Sequence, residues 1–231
     1  MHTERRVRVF GQYIKDLVYG ANDGIITTFA IITASIGANL PTTVILIFGF
    51  ANLFADGFSM AASDFLGIRS EHALFRQEEH LENQEVHDSP DIERTEVEHV
   101  LQHYGFSDDE TKELMTTISK NKRFWVDFMM RYELGFAIPK QGSEWLSASA
   151  TFFAFVIAGS LPLLPFIFPV AQEYTLIASI SATGIALFTV GAMRTFVTKR
   201  HWFLSGIEML IVGSIATSVS YLVGYGISTI V

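Results

Sequence analysis

Five stretches of this chain, near residues 17–38, 43–66, 147–171, 174–198 and 203–230, are almost free of charge and each about 20 residues or longer. A helix of about 20 residues crosses a hydrocarbon core of ~30 Å. Inside lipid, only helices or closed barrels satisfy every backbone N–H and C=O. The blocks lack the in–out alternation of barrel strands, so the expected fold is an all-α membrane protein with five transmembrane helices. The 20 phenylalanines suit a lipid-facing surface, and the absence of cysteine excludes disulfides and thiolate metal sites. The basic start "MHTERRVRVFGQYIKD" is not followed by a short apolar core and a small-residue cleavage site, so the first block reads as a retained span.

The net charge of −8 is unevenly placed. Residues 67–146 hold 17 acids and 9 bases, a net of −8, and the remainder balances at zero. The chain therefore divides into spans one and two (1–66), an acidic insert (67–146) and spans three to five (147–231). Such acidity argues against nucleic acid as a partner and for attraction of cations. Arg5, Arg6, Arg8 and Lys15 precede the first span, and Arg194, Lys199, Arg200 and His201 lie between the fourth and fifth, whereas the "GANLP" and "FPVAQEYT" links carry no Lys or Arg. The positive-inside rule then puts the N-terminus and the insert in the cytoplasm. The lack of a targeting extension favours a cell membrane over a vacuolar one.

The insert reads as helices. The second span runs on as a polar helix through "IRSEHALFRQEEHLENQEV" until "HDSP" breaks it, with Ser89 as cap and Pro90 at the first helical position of the next. Ser107 and Glu110 make a capping box. A last helix carries "FWVDFMMRYELGF" and stops at Gly135.

Glu78, Glu82 and Glu85 share one helical face, Glu93 and Glu96 another, and Met129, Met130 and Glu133 are spaced to point together. Like charges so placed repel, and a divalent cation removes the repulsion. Carboxylates beside a soft thioether suit Fe²⁺ or Mn²⁺ better than Mg²⁺ or Ca²⁺. The ordinary uses of such residues are solvated faces and core filler. His72, His80, His87 and His103 read as surface residues, no EF-hand run occurs, and only Glu96 to His99 has the Glu-x-x-His spacing of a di-iron bundle.

Ionisable residues within the spans weigh more, since a charge near the bilayer centre costs at least ~2.5 kcal/mol. At 1.5 Å per residue, Asp23 and Met60 lie ~9 Å from the cytoplasmic ends of their helices and Glu208 ~8 Å, a candidate layer, with Asp56 ~15 Å deep. Asp56 shares a face with Asn52 and Met60, and Asp64 reads as interfacial. Gly20 and Gly24 flank Asn22 and Asp23, allowing a close helix approach there.

With these residues in view, the chain resembles the vacuolar iron transporter family over nearly its whole length, through "YGANDGIITTFAI", "GFSMAASDFLGIRSE", "SPDIERTEVEHVLQHYG" and "DFMMRYELGF". The resemblance implies five membrane helices, a cytoplasmic metal-binding insert between the second and third, a homodimer, and proton-coupled export of Fe²⁺ or Mn²⁺ from the cytosol with no organic cofactor. By position it implies an insert site of Glu82, Glu85, Glu93, Glu96, Met129, Met130 and Glu133, with Glu78 and Glu79 as neighbours, and a pathway through Asp23 and Met60. Asn52 stands where the family carries an acid, which leaves Asp56 or Glu208 to couple protons. A metal-regulated sensor or assembly protein that binds without transporting is the alternative, and matched intramembrane acids argue against it. A di-iron oxidase would need more Glu-x-x-His pairs, so no enzyme is expected.

Overall fold

The computed structural model describes residues 2–140, 142–168 and 172–230. The side chains of residues 2–12, Gln172 and Val197 lie outside that description, and with them those of Arg5, Arg6 and Arg8 and part of the 168–175 link. The described helices are α1 (His2–Gly37), α2 (Thr42–Asp88), α3 (Pro90–His103), α4 (Asp108–Ile118), α5 (Lys122–Tyr132), α6 (Ser143–Ser160), α7 (Leu164–Ile167), α8 (Thr175–Met193), α9 (Thr195–Thr198) and α10 (Trp202–Ile230). Five helical segments are long and apolar enough to cross a membrane: Tyr13–Gly37, Thr42–Asp88, Ser143–Ile167, Thr175–Met193 and Trp202–Ile230. No strand occurs among the described residues.

Two compact units result, Leu66–Ser143 and the remainder. Helix α2 contributes to both. Its 47 residues contain no proline and run unbroken, ~70 Å at 1.5 Å per residue. That is more than twice a hydrocarbon core, so the apolar stretch before Leu66 is by itself long enough to span one.

The third span is less regular than its hydropathy predicts. Helix α6 tightens into a 3₁₀ turn at Leu161–Leu163 before α7, because Pro162 and Pro165 each lack the N–H that continues an α-helix. The Pro162 carbonyl instead accepts a hydrogen bond from Ser179 Oγ of α8 at 2.7 Å. The fourth span likewise ends earlier than predicted, at Met193, and Lys199 closes α9 in the left-handed region at φ 53°.

In the membrane unit α1 packs against α6, α8 and α10. A Cβ on Gly20 would lie 2.5 Å from the Thr151 carbonyl oxygen, and one on Gly24 would strike that of Phe155, so the backbones of α1 and α6 touch there. Helix α2 buries the row Ile45, Gly49, Leu53 and Gly57, each one turn from the last, and leaves Phe48, Phe54 and Phe58 exposed. Such an apolar exterior is what lipid solvates.

The insert unit closes the end of α2, α3, α4 and α5 around Phe75, Val86, Val97, Leu101, Met115, Ile118, Trp125, Val126, Met129 and Met130. The Ser107–Glu110 capping box is present. Pro90 does open α3, but the Ser89 hydroxyl makes no cap bond, contrary to expectation, and its carbonyl accepts from the Ile92 N–H at 3.0 Å instead. Gly135 at φ +71° turns the chain after α5, and the Phe136 N–H donates to the Met130 carbonyl at 2.8 Å.

Candidate metal site and intramembrane acids

In the insert two acids are fully buried: Glu82 is 3% exposed and Glu93 4%. The helix period explains it. Glu82 precedes Val86 by one turn on α2, and Glu93 precedes Val97 by one turn on α3. Both valines belong to the apolar cluster that holds Met129 and Met130, so the carboxylates share the faces that pack on the methionines. Glu82 Oε1 and Glu93 Oε2 meet no hydrogen-bond donor. A buried ionised carboxylate without a partner is costly.

The electrostatics follow. Burial first, and then contact with Glu93 and the charges of Glu93, Glu133 and Glu85, pushes the Glu82 carboxyl up to about 8. Glu93 is also raised, by burial first and then by the charges of Glu96 and Glu85, while its hydrogen bond with Glu82 offsets part of the rise. Both shifts run the same way, so burial and mutual repulsion favour the protonated form in this pair. Glu133 caps the C-terminus of α5 and is exposed as a residue, yet desolvation of its carboxyl, with Glu96, Glu93 and Glu85 nearby, raises it to about 7. A proton relieves the repulsion among these carboxyls, and a divalent cation would relieve it in the same way.

The remaining expected ligands are spread more widely. Glu85 is exposed, and Glu78, Glu79 and Glu96 are half-buried. Among the described residues no three His, Asp or Glu side chains gather closely enough to form a finished coordination shell. Met129 and Met130 are 0% and 1% exposed, wholly inside the core. They are core residues, packed in the cluster that also holds Val86 and Val97.

In the membrane unit the acids fall into two tiers. Asp23 of α1 and Asp56 of α2 are half-buried and close enough for their charges to interact. Asp16 and Asp64 form a second such pair. Each member of the second pair accepts a hydrogen bond from an α6 hydroxyl: Asp16 from Ser147, and Asp64 from Thr151 at 3.1 Å. The spacing accounts for the pairing. Asp16 and Asp23 are seven residues apart on α1, Asp56 and Asp64 eight apart on α2, about two turns in each case. The Asp16–Asp64 tier has donors, whereas among the described residues neither the Asp23 nor the Asp56 carboxylate accepts a hydrogen bond; Thr27 Oγ1 donates to the Asp23 backbone carbonyl at 2.8 Å. Sequence reasoning missed Asp16, although its seven-residue offset from Asp23 places both on one face. Asp64, read as interfacial, is half-buried and bound to Thr151.

Asn52 and Met60 are half-buried on the Asp56 row, and Asn52 Nδ2 is buried without an acceptor. Glu208 is different. It is exposed and pairs with Arg194 Nη1 at 3.6 Å. Depth alone placed it in a layer with Asp23 and Met60, but depth fixes height and not the direction a helix turns a side chain. Glu208 is held by an arginine instead.

Residues 14–225 match the VIT family, a region that takes in the whole insert, the second to fourth spans and most of the first and fifth. The chain belongs to the VIT family. Among curated relatives, Vacuolar iron transporter 1 of Arabidopsis thaliana is 31% identical over 221 residues, 95% of this chain and 88% of that protein. Vacuolar iron transporter 2 of Oryza sativa subsp. japonica is 28% identical over 95% of this chain and 89% of its own length. Vacuolar iron transporter of Plasmodium falciparum is 29% identical over 91% and 81%. This VIT family chain thus aligns with these relatives nearly end to end, so the acidic insert is no appendage to the match.

Proposed function

We propose that this chain carries divalent transition metal, Fe²⁺ and also Mn²⁺, out of the cytosol in exchange for protons. The N-terminus and the insert lie on the cytosolic side, and the working unit is a homodimer. The observation that carries the reading is the meeting of Asp23 and Asp56, two acids from separate apolar helices with no hydrogen-bond donor between them. Two such charges in a bilayer are expensive unless a cation passes between them or protons neutralise them. A binding-only sensor has no use for that pair. The names of the relatives as iron transporters supply the metal.

Glu82, Glu93 and the glutamates around them would gather the ion, with Met129 and Met130 favouring a transition metal over Mg²⁺. Asp23 and Asp56, with Met60 beside them, would pass it on. Asp56 stands one turn from Asn52 and takes the proton-coupling role. Because Asp56 and Met60 are only half-buried, a second copy covering this side of α2 would close the pathway against lipid. The proposal concerns direction, from the cytosol outward, in whichever membrane the chain resides.

The test is uptake into proteoliposomes holding acid inside, with Fe²⁺, Mn²⁺, Zn²⁺ and Mg²⁺ offered outside. Fe²⁺ and Mn²⁺ enter, Mg²⁺ does not, and a protonophore that dissipates the gradient slows entry. Uptake indifferent to the gradient removes the exchange, and no uptake of any ion removes the function.

A further inference from the structure

We propose that His99 and His103, with Glu96 and Glu133, form a second metal-holding site in the insert, one supplying nitrogen donors that the buried glutamate pair lacks. The spacing is the first argument. His99 and His103 are four residues apart on α3, and Glu96 precedes His99 by three, so all three lie along one helical face. Two histidines at i and i+4 on a helix are placed to chelate a single ion.

Tertiary structure supplies the second argument. Glu133 comes from the end of α5, yet it and the three α3 residues line one cavity of about 440 Å³, walled by Tyr104 and Tyr132. Both histidines are exposed, and among the described residues neither imidazole makes a hydrogen bond or ion pair; the His103 ring meets Tyr104 edge to face at 6.0 Å. The fold therefore gives the two rings no structural task that would bring them to a cavity shared with two acids. The four side chains ring that cavity and do not close on one point, so the histidine pair would seize the ion and the carboxylates would complete its shell.

The donor set selects the ligand. Imidazole with carboxylate suits Fe²⁺, Co²⁺, Ni²⁺ and Zn²⁺ and disfavours Mg²⁺ and Ca²⁺. Glu96 and Glu133 also interact with each other, and Glu133 with Glu93 of the buried pair, so an ion taken here stands next to the glutamates that would receive it. The inference rests on the metal-transport reading for that role, but not for binding itself.

The experiment uses the full chain in detergent with Co²⁺ as probe, in three forms: wild type, His99→Gln/His103→Gln, and Glu82→Gln/Glu93→Gln. Because the histidines are exposed, replacing them leaves folding intact. In wild type, substoichiometric Co²⁺ shifts and broadens the histidine ring resonances that the histidine variant lacks, and Mg²⁺ at equal concentration leaves them sharp. The histidine variant weakens one class of Co²⁺ binding by roughly tenfold or more. Ring broadening that survives in the Glu82→Gln/Glu93→Gln form supports a separate site. Rings untouched by Co²⁺, or an unchanged Co²⁺ isotherm in the histidine variant, overturn it. Proteoliposome uptake judges the proposed function separately.

Discussion

The insert and the membrane unit both bring acids together, but they treat the charge differently. The insert buries Glu82 and Glu93 in an apolar core and gives Glu82 Oε1 and Glu93 Oε2 no donor. The membrane unit leaves its aspartates half-buried and ties Asp16 and Asp64 to hydroxyls on α6. Hydrogen bonds to a carboxylate favour its charged form, whereas burial without them favours the proton. The buried insert pair therefore favours its protonated form until a cation replaces the proton, whereas the Asp16–Asp64 tier has hydroxyl donors to satisfy its oxygens. Asp23 and Asp56 stand between these cases, in apolar surroundings and without donors.

The largest expected effect separates the two regions outright. Asp23→Asn reduces metal uptake to that of empty liposomes while leaving metal binding by the insert unchanged in calorimetry. If that variant still transports, the membrane pair is structural and the comparison fails.

Next in size is Glu82→Gln/Glu93→Gln. Metal affinity of the insert falls by roughly 10- to 100-fold, with uptake slowed and not abolished. Above about pH 8, where both acids ionise, the metal-free variant resists hydrogen exchange better than wild type, because two amides can bond each other where two carboxylates repel. Loss of protection without metal would mean the pair is a structural bond and not a site.

A third outcome is pH dependence. Glu82 rises from its ordinary 4.5 to about 8 and Glu133 to about 7 in the folded chain, so the folded insert binds more protons than the unfolded chain across that window. Its metal-free stability is therefore full below pH 4.5 and falls as pH rises through 8. The shift is of order 5 °C in Tm, read as exchange protection over residues 78–100. Saturating Mn²⁺ should flatten the slope. A metal-free insert that gains protection between pH 5 and 8 contradicts the electrostatics described for the glutamates.

The smallest effect belongs to Glu208→Gln. An exposed pair with Arg194 is worth ~0–1 kcal/mol, and uptake changes by about twofold at most. A large loss would return Glu208 to the pathway.

Much of this was legible in the chain itself. Five apolar blocks gave five spans because hydropathy over about 20 residues is a one-dimensional property. The Ser107–Glu110 cap, the unbroken run of α2 from its apolar into its acidic half, and the close approach at Gly20 and Gly24 were readable because each rests on neighbours in sequence. The misreadings share a cause. Glu208 was assigned by depth when its azimuth decides its partner, Asp16 was passed over because its partner Asp64 lies 48 residues away, and the breaks at Pro162 and Pro165 were hidden by uninterrupted hydropathy.

The sequence by itself determined that this chain lives in a membrane, that one acidic helical segment interrupts the spans, and which residue types are available to hold a cation. Only the tertiary structure decided which of the acids are buried, which pair across helices and which are satisfied by a hydroxyl or an arginine. The reason is geometric: helical periodicity records the face a side chain shares with its own helix, while its charge state depends on what another helix, distant in sequence, places opposite.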